Sequence, residues 1–316
     1  MRGQAAAAAV TVPTQRKLTT GQPYLLTAVG PNVHTLRFEN IKAGWEQWAL
    51  LTGDRHHDNL HTRHDLEREH LEQAKARKAF VLDVGDSFCA MQGKYDPRAD
   101  QSQLRPEDRG NNYLDNLVKN AAAFYGPYAH LFTVWGQGNH ETSILNRHNT
   151  NLTDRLVHRL NSDGGGQCFV GGYGGWLALQ FVLWGTQTAR INLKYHHGAG
   201  GGGPVTRGVI DTNRQAVYLP DADIVVNGHS HDQYYLPIAR ERLTMDGKVS
   251  RDIVHFIRTG TYKDEYGDGS KGFHIEKGRP PKPLGAVWLR FYVRPKGAAL
   301  GARDNPIGVD VILDNQ

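Results

Sequence analysis

Five short apolar runs in this chain each end in a cluster of residues able to hold ions or move protons, and this pairing limits the fold more than any other feature. Residues 48–51 precede Gly53-Asp54, and residues 79–84 precede Gly85-Asp86. Residues 131–135 lead to Gly138-Asn139-His140-Glu141, residues 191–195 to His196-His197-Gly198, and residues 223–226 to Gly228-His229-Ser230-His231. Runs this short, rich in Val, Leu, Ile and aromatics, read as buried strands. Between them, residues 65–78 combine strong helix formers with opposite charges at helical spacing. Residues 111–124 place Leu114, Leu117, Val118 and Ala121 on one stripe. Residues 152–160 give a third helix, with Asn151 or Thr153 as its cap.

Strands alternating with helices imply βαβ units, whose ligand site lies beyond the carboxyl ends of the strands. All five polar clusters occupy that position. Further strands are expected over residues 167–184, 253–262 and 286–293, with a hairpin turn at Met245-Asp246-Gly247-Lys248 and a break over residues 278–283. The fold class predicted is α/β, a two-sheet β-sandwich flanked by helices. Residues 1–30 read as a partly flexible leader, and residues 31–316 as one domain with a C-terminal extension of unassigned role from about 235.

Composition narrows the function classes. At 39% hydrophobic residues over 316 positions the chain can bury a core, and its 36 glycines fall in clusters suited to turns and functional loops. The net charge of +5 is spread along the sequence, compatible with anionic substrates but not a nucleic-acid-binding arm. Cys89 and Cys168 are too few for a disulfide framework or a thiolate zinc site. The short apolar run after Met1-Arg2-Gly3-Gln4 lacks a convincing cleavage site, and no stretch is long enough to span a membrane. A cytoplasmic location is the expectation.

Imidazole together with carboxylate and amide oxygen suits divalent transition metals. Asp54 and His56 are two apart just past a strand, His229 and His231 repeat that spacing, Asp86 adds a carboxylate and Asn139 an amide oxygen, and His196 or His197 adds another nitrogen. In this order, Asp54-x-His56, Gly85-Asp86, Gly138-Asn139-His140-Glu141, His196-x-Gly198 and Gly228-His229-x-His231 resemble the motifs of the calcineurin-like metallophosphoesterases, over residues 47–231. The resemblance implies a four-layer α/β/β/α sandwich with two divalent ions, manganese first and iron, zinc or nickel as alternatives. It implies that Asp54, His56, Asp86 and His231 hold one ion, and that Asp86 bridges to a second held by Asn139, His196 and His229. His196 is preferred to His197 because the family's ligand is often followed, one residue on, by Gly or Pro. His140 would face the substrate as general acid or electrostatic stabiliser. In-line attack on phosphorus by a metal-bound hydroxide is the implied mechanism.

Many relatives carry an acidic residue three positions after the bridging Asp, where it orients the catalytic His; here that position is Cys89. Arg55, Arg147 and His197 are weaker expectations as substrate contacts. The glycines at 200–203 read as a loop over the site, and Tyr234, Tyr235, Tyr262 and Tyr266 as packing residues. The substrate implied is a phosphoester, more a diester than a monoester, from a nucleotide or nucleic acid. A DNA-repair-type nuclease is an alternative, and a non-catalytic metal-binding scaffold of the same fold is an alternative of another class. A protein phosphatase is disfavoured, because the chain lacks the full Gly-Asp-x-Val-Asp-Arg-Gly pattern.

Overall fold

A computed structural model describes residues 15–16, 22–91, 99–200, 205–243, 245–267, 269, 273–295 and 305–315. Its strands are β1 (Gln15–Arg16), β2 (Tyr24–Gly30), β3 (Val33–Ile41), β4 (Glu46–Thr52), β5 (Phe80–Asp83), β6 (Phe132–Trp135) and β7 (Phe169–Val170). They continue with β8 (Gly174–Leu183), β9 (Gln187–His196), β10 (Ile224–Asn227), β11 (Tyr234–Leu243), β12 (Val249–Arg258), β13 (Gly285–Val293) and β14 (Ile307–Asn315). The helices are α1 (His64–Ala76), α2 (Tyr113–Tyr125), α3 (Asn139–His148), α4 (Leu152–Ser162), α5 (Val209–Tyr218) and α6 (Phe273–Glu276).

One sheet has six strands in the order β14-β13-β4-β5-β6-β7, and the other has eight in the order β1-β2-β3-β8-β9-β10-β12-β11. Within the first, β4 to β7 run parallel. Within the second, β9, β10 and β12 run parallel. The five apolar runs of the sequence are β4, β5, β6, β9 and β10.

Side-chain alternation builds the layers. Ala49 and Leu51 of β4, Phe80 and Leu82 of β5, and Val287, Leu289 and Phe291 of β13 meet Ile224 and Val226 of β10 and Leu177 and Leu179 of β8 between the sheets. The intervening residues Leu50, Val81, Ala286 and Trp288 face outward against Leu66 and Leu71 of α1, Leu117 and Ala121 of α2, and Leu156 of α4. On the far side, Val225, Val254 and Phe256 pack with Ala216 of α5 and Leu219 just beyond it. β4, β5, β6 and β10 are buried on both faces and read as nearly unbroken apolar runs, whereas β9 alternates, with Asn192 and Lys194 half-buried between Ile191, Leu193 and Tyr195. Truncating a fully buried leucine such as Leu51 to alanine costs about 2–5 kcal/mol.

Asn151 caps α4, its side chain accepting from the Asp154 N–H. Two boundaries need correction. Residues 24–30, placed in the leader, form β2, hydrogen-bonded antiparallel to β3, with Tyr24 and Leu26 in the inter-sheet core. The C-terminal part is integral rather than an extension: β13 pairs with both β4 and β14, and β12 pairs with β10. The rest of the expected leader, residues 1–14 and 17–21, lies outside the described residues, as do the glycines at 201–203. Among the described residues no helix is long and apolar enough to cross a membrane.

Candidate metal centre

The loops after β4 and β5 are zipped together. The Asp54 N–H donates to Gly85 O at 2.8 Å, the His56 N–H to Asp86 O at 3.0 Å, and the His57 N–H to Ser87 O at 2.8 Å. The loop after β10 closes from the other sheet, where the His229 N–H donates to Asp54 Oδ2 at 2.8 Å. Two motif glycines follow from this crowding. A Cβ on Gly138 would collide with Asp86 Oδ1, and one on Gly228 would lie 2.6 Å from Asp54 Oδ2.

The turns are strained. Asp54 (φ 50°), His56 (47°), Asp86 (55°), His229 (74°) and His231 (58°) all have left-handed backbone. That conformation costs a residue with a Cβ roughly 1 kcal/mol or more. Five such residues turned into one cleft mark the strain as serving side-chain placement rather than chain reversal.

Two groups result. In one, Asp54, His56 and His231 offer ligand atoms within 4.8 Å of one another. His56 Nε2 and His231 Nε2 are 3.1 Å apart, and His231 Nε2 is 3.5 Å from Asp54 Oδ1, which is buried with no hydrogen-bond partner. The other group unites Asp86, His197 and His229. His197 Nε2 lies 3.1 Å from Asp86 Oδ2 and 3.2 Å from Asn139 Oδ1, and His229 Nδ1 lies 2.8 Å from the same amide oxygen.

Electrostatics show what the groups lack. Burial, reinforced by Asp86, pushes the Asp54 carboxyl up to about 8 against the pull of His197. Burial likewise raises Glu141 to about 8, with Asp86 adding to it. Asp86 behaves oppositely: burial would raise it, but His140 and His197 beside it hold it well below the usual carboxylate range. The His197 imidazole is lowered by burial and raised more by Asp86, to about 9. Burial and the neighbouring His231 hold His56 well below its ordinary value. Buried carboxylates, converging imidazole nitrogens and an orphaned carboxylate oxygen fit divalent cations, which one proton per pair of atoms satisfies poorly.

Further shells hold these residues. Glu141 Oε1 accepts from the Phe88 N–H (3.0 Å), and its Oε2 accepts from the Asp86 (3.1 Å) and Gly138 (2.8 Å) N–H groups. Asp86 Oδ1 accepts from the His140 N–H in the first turn of α3 at 3.0 Å. His140 Nδ1 donates to the Cys89 carbonyl at 2.6 Å, leaving Nε2 3.7 Å from Asp86 Oδ2. The main chain of Cys89 thus orients the His140 ring. Asp58 braces that segment, accepting from the Cys89 (2.6 Å) and Ala90 (2.9 Å) N–H groups and from the Tyr113 hydroxyl (2.9 Å).

Three expectations are corrected. His197, not His196, enters the second group. Successive residues at a strand end face opposite ways, and His196 turns its ring to Tyr173 and accepts from the Gly198 N–H at 3.0 Å. His197 is fully buried, so it is no surface contact for substrate, and it donates from Nδ1 to Val84 O at 3.1 Å, which frees Nε2. Arg55 is no phosphate clamp: it is fully buried and ion-paired with Asp83 at 2.5 Å and with Glu67. Arg147 is exposed in the last turn of α3, about 10 Å along the helix axis from His140.

His57, His64 and Glu67 form a third group of ligand type. There the Arg105 guanidinium already stands 3.1 Å from His57 Nε2 and 3.0 Å from His64 Nε2, and Arg55 pairs with Glu67. Cations of the chain itself fill that group. Glu141, three residues past the helix cap, was legible as a capping residue. No sequence signal marked the Cys89 carbonyl.

No protein-family model matches the chain, and no curated protein matches it. Among solved structures it is similar to vacuolar protein sorting 29 from Cryptosporidium parvum, at TM-score 0.36 and 14% identity over 85% of this chain and 100% of that one. It is also similar to GAP50, the anchor in the inner membrane complex of Plasmodium, at TM-score 0.42 and 11% identity over 85% and 84% of the two chains. A third is the calcineurin-like phosphoesterase YfkN from Bacillus subtilis, at TM-score 0.30 and 10% identity over 84% and 90%. At such scores the likeness carries no weight, and the site stands on its own geometry.

Proposed function

We propose that this chain is a metal-dependent phosphoesterase of the calcineurin-like type, acting on phosphodiesters in preference to monoesters. One observation carries the proposal: two adjoining ligand groups, built on strained turns from both sheets, converge at the carboxyl ends of the strands. Asp54, His56 and His231 would hold one divalent ion, and Asn139, His197 and His229 a second, with Asp86 between the groups. Such a pair supplies positive charge for a phosphoryl group and lowers the pKa of a water.

The chain's residues divide the remaining work. The Cys89 carbonyl fixes one proton of His140 on Nδ1, so the proton handed to the leaving oxygen would be a second one, carried on Nε2 of the imidazolium. Glu141 and Asp58 hold the two segments whose positions set the distance between His140 and Asp86. The mostly neutral ligand set leaves an excess of positive charge, and the imidazole-rich character of that set supports the diester preference.

The test is hydrolysis of bis-p-nitrophenyl phosphate and of p-nitrophenyl phosphate, with and without Mn²⁺. Turnover that requires Mn²⁺, falls by about a hundredfold or more in His140→Asn, and is faster on the diester is the expected result. Absence of turnover on both esters in Mn²⁺-loaded protein would refute the proposal and favour a binding scaffold.

A further inference from the structure

Arg258 is the last residue of β12, paired in parallel register with Asn227, two residues before His229. It is 4% exposed. Its Nη1 donates to the hydroxyl of Ser230, the residue separating His229 from His231, at 2.6 Å. Its guanidinium carbon stands 5.3 Å from the centre of the Tyr234 ring. Its Nε is buried without a hydrogen-bond partner, and among the described residues it has no ion pair. A buried cation lacking counter-charge is costly.

The start of α5 adds positive potential. Gly208, the N-cap of this ten-residue helix, packs on the guanidinium so closely that a Cβ there would lie 2.5 Å from Nη1 and 2.9 Å from Cζ. Tyr234 is tied to the same turn, its hydroxyl 2.8 Å from Thr212 Oγ1. A helix N-terminus carries about half a positive charge, and a guanidinium set against it is favourable only where an anion joins them.

We propose that Arg258, with the Ser230 hydroxyl and the start of α5, binds an anionic oxygen of the substrate phosphate and so selects phosphoanions on the His229 side of the cleft. The identity of the ligand rests on the phosphoesterase proposal; the presence of an anion subsite does not. Among the described residues no carboxylate pairs with Arg258, so a phosphate oxygen gains a charge-assisted bond to its guanidinium without displacing one.

Inorganic phosphate is the probe, titrated calorimetrically into the full Mn²⁺-loaded chain, alongside kcat and KM on bis-p-nitrophenyl phosphate. In Arg258→Gln the phosphate Kd should rise about tenfold to a hundredfold, and KM should rise with it. Melting temperature and Mn²⁺ stoichiometry identify a folded, loaded variant. Arg258→Lys, which keeps the charge, should fall between the two. If Arg258→Gln does not fold, Arg258→Lys and Ser230→Ala decide, each expected to weaken phosphate severalfold. Phosphate affinity within twofold of the parent in the folded variants, or no phosphate binding by the parent, overturns the inference. If the chain hydrolyses nothing yet loses phosphate affinity in Arg258→Gln, the hydrolysis proposal alone fails. Normal Mn²⁺-dependent turnover with unchanged phosphate affinity in the variant sinks the subsite alone.

Discussion

The two sheets handle buried charge differently. The six-stranded sheet brings both candidate metal-holding carboxylates, Asp54 and Asp86, and backs them with a buried ion network in which Arg55 pairs with Asp83 and Glu67. Thr52 Oγ1 lies 3.1 Å from Asp83 Oδ2 and accepts from Arg55 at 2.7 Å, and four aromatic rings, those of Tyr125, Phe132, Trp135 and Tyr262, lie 5.2–5.7 Å from the guanidinium carbon. The eight-stranded sheet brings only imidazoles to the two groups, His197, His229 and His231. Away from the cleft it buries His34 and half-buries His255, and desolvation lowers both to about 4. One sheet fixes charge by pairing it, while the other holds His34 and His255 neutral and meets the first sheet's Asp86 with His197, which that carboxylate raises to about 9. Acidic ligands therefore rest on an ion-paired floor, and the imidazoles hang from strand ends, held there by bonds to the other sheet such as His197 Nδ1 to Val84 O and the His229 N–H to Asp54 Oδ2.

Breaking the floor should have the largest effect. Arg55→Met leaves Asp83 and Glu67 buried without their cation and should destabilise the protein by about 3–5 kcal/mol, measured by urea unfolding. A loss below about 1 kcal/mol would show that the network does not brace the sheet. On the imidazole side the expected change is in metal affinity. His197→Ala should weaken Mn²⁺ binding by about tenfold to a hundredfold, whereas His196→Ala should leave it within twofold; the reverse pattern would restore His196 as the ligand.

The most gradual expected effect lies in the pH dependence of stability. His34 and His255 have folded-state values near 4, below the ordinary 6.5. Between these pH values the unfolded chain binds more protons, so stability is full above about 6.5 and declines as pH falls toward 4. Each group contributes a slope of up to about 1.4 kcal/mol per pH unit. Unfolding of His34→Gln and His255→Gln across pH 4–7 should show a shallower decline than the parent, and an identical slope would mean the imidazoles are not held neutral.

The strands carrying the site were legible because β4, β5, β6 and β10 are covered on both faces and mostly apolar, and each stops where the chemistry begins. The choice between His196 and His197 was not, since it depends on where β9 gives way to the turn, a matter of backbone geometry that composition leaves open. Arg55 illustrates the same limit: between two cleft-facing residues it points down into the sheet, and the carboxylates that neutralise it come from β5 and α1, 28 and 12 positions away. β2 and β14 were missed because half-buried, partly polar strands give weak signals until their partners are known. Arg258 stood in a plain strand, and what distinguishes it is burial with no paired carboxylate among the described residues.

The most direct test of two metal groups is a crystal of the Mn²⁺-soaked protein with anomalous scattering recorded at the manganese edge. Two peaks are expected, one among Asp54, His56 and His231 and one among Asp86, Asn139, His197 and His229. No peak in either group, or manganese among His57, His64 and Glu67 instead, would contradict that expectation.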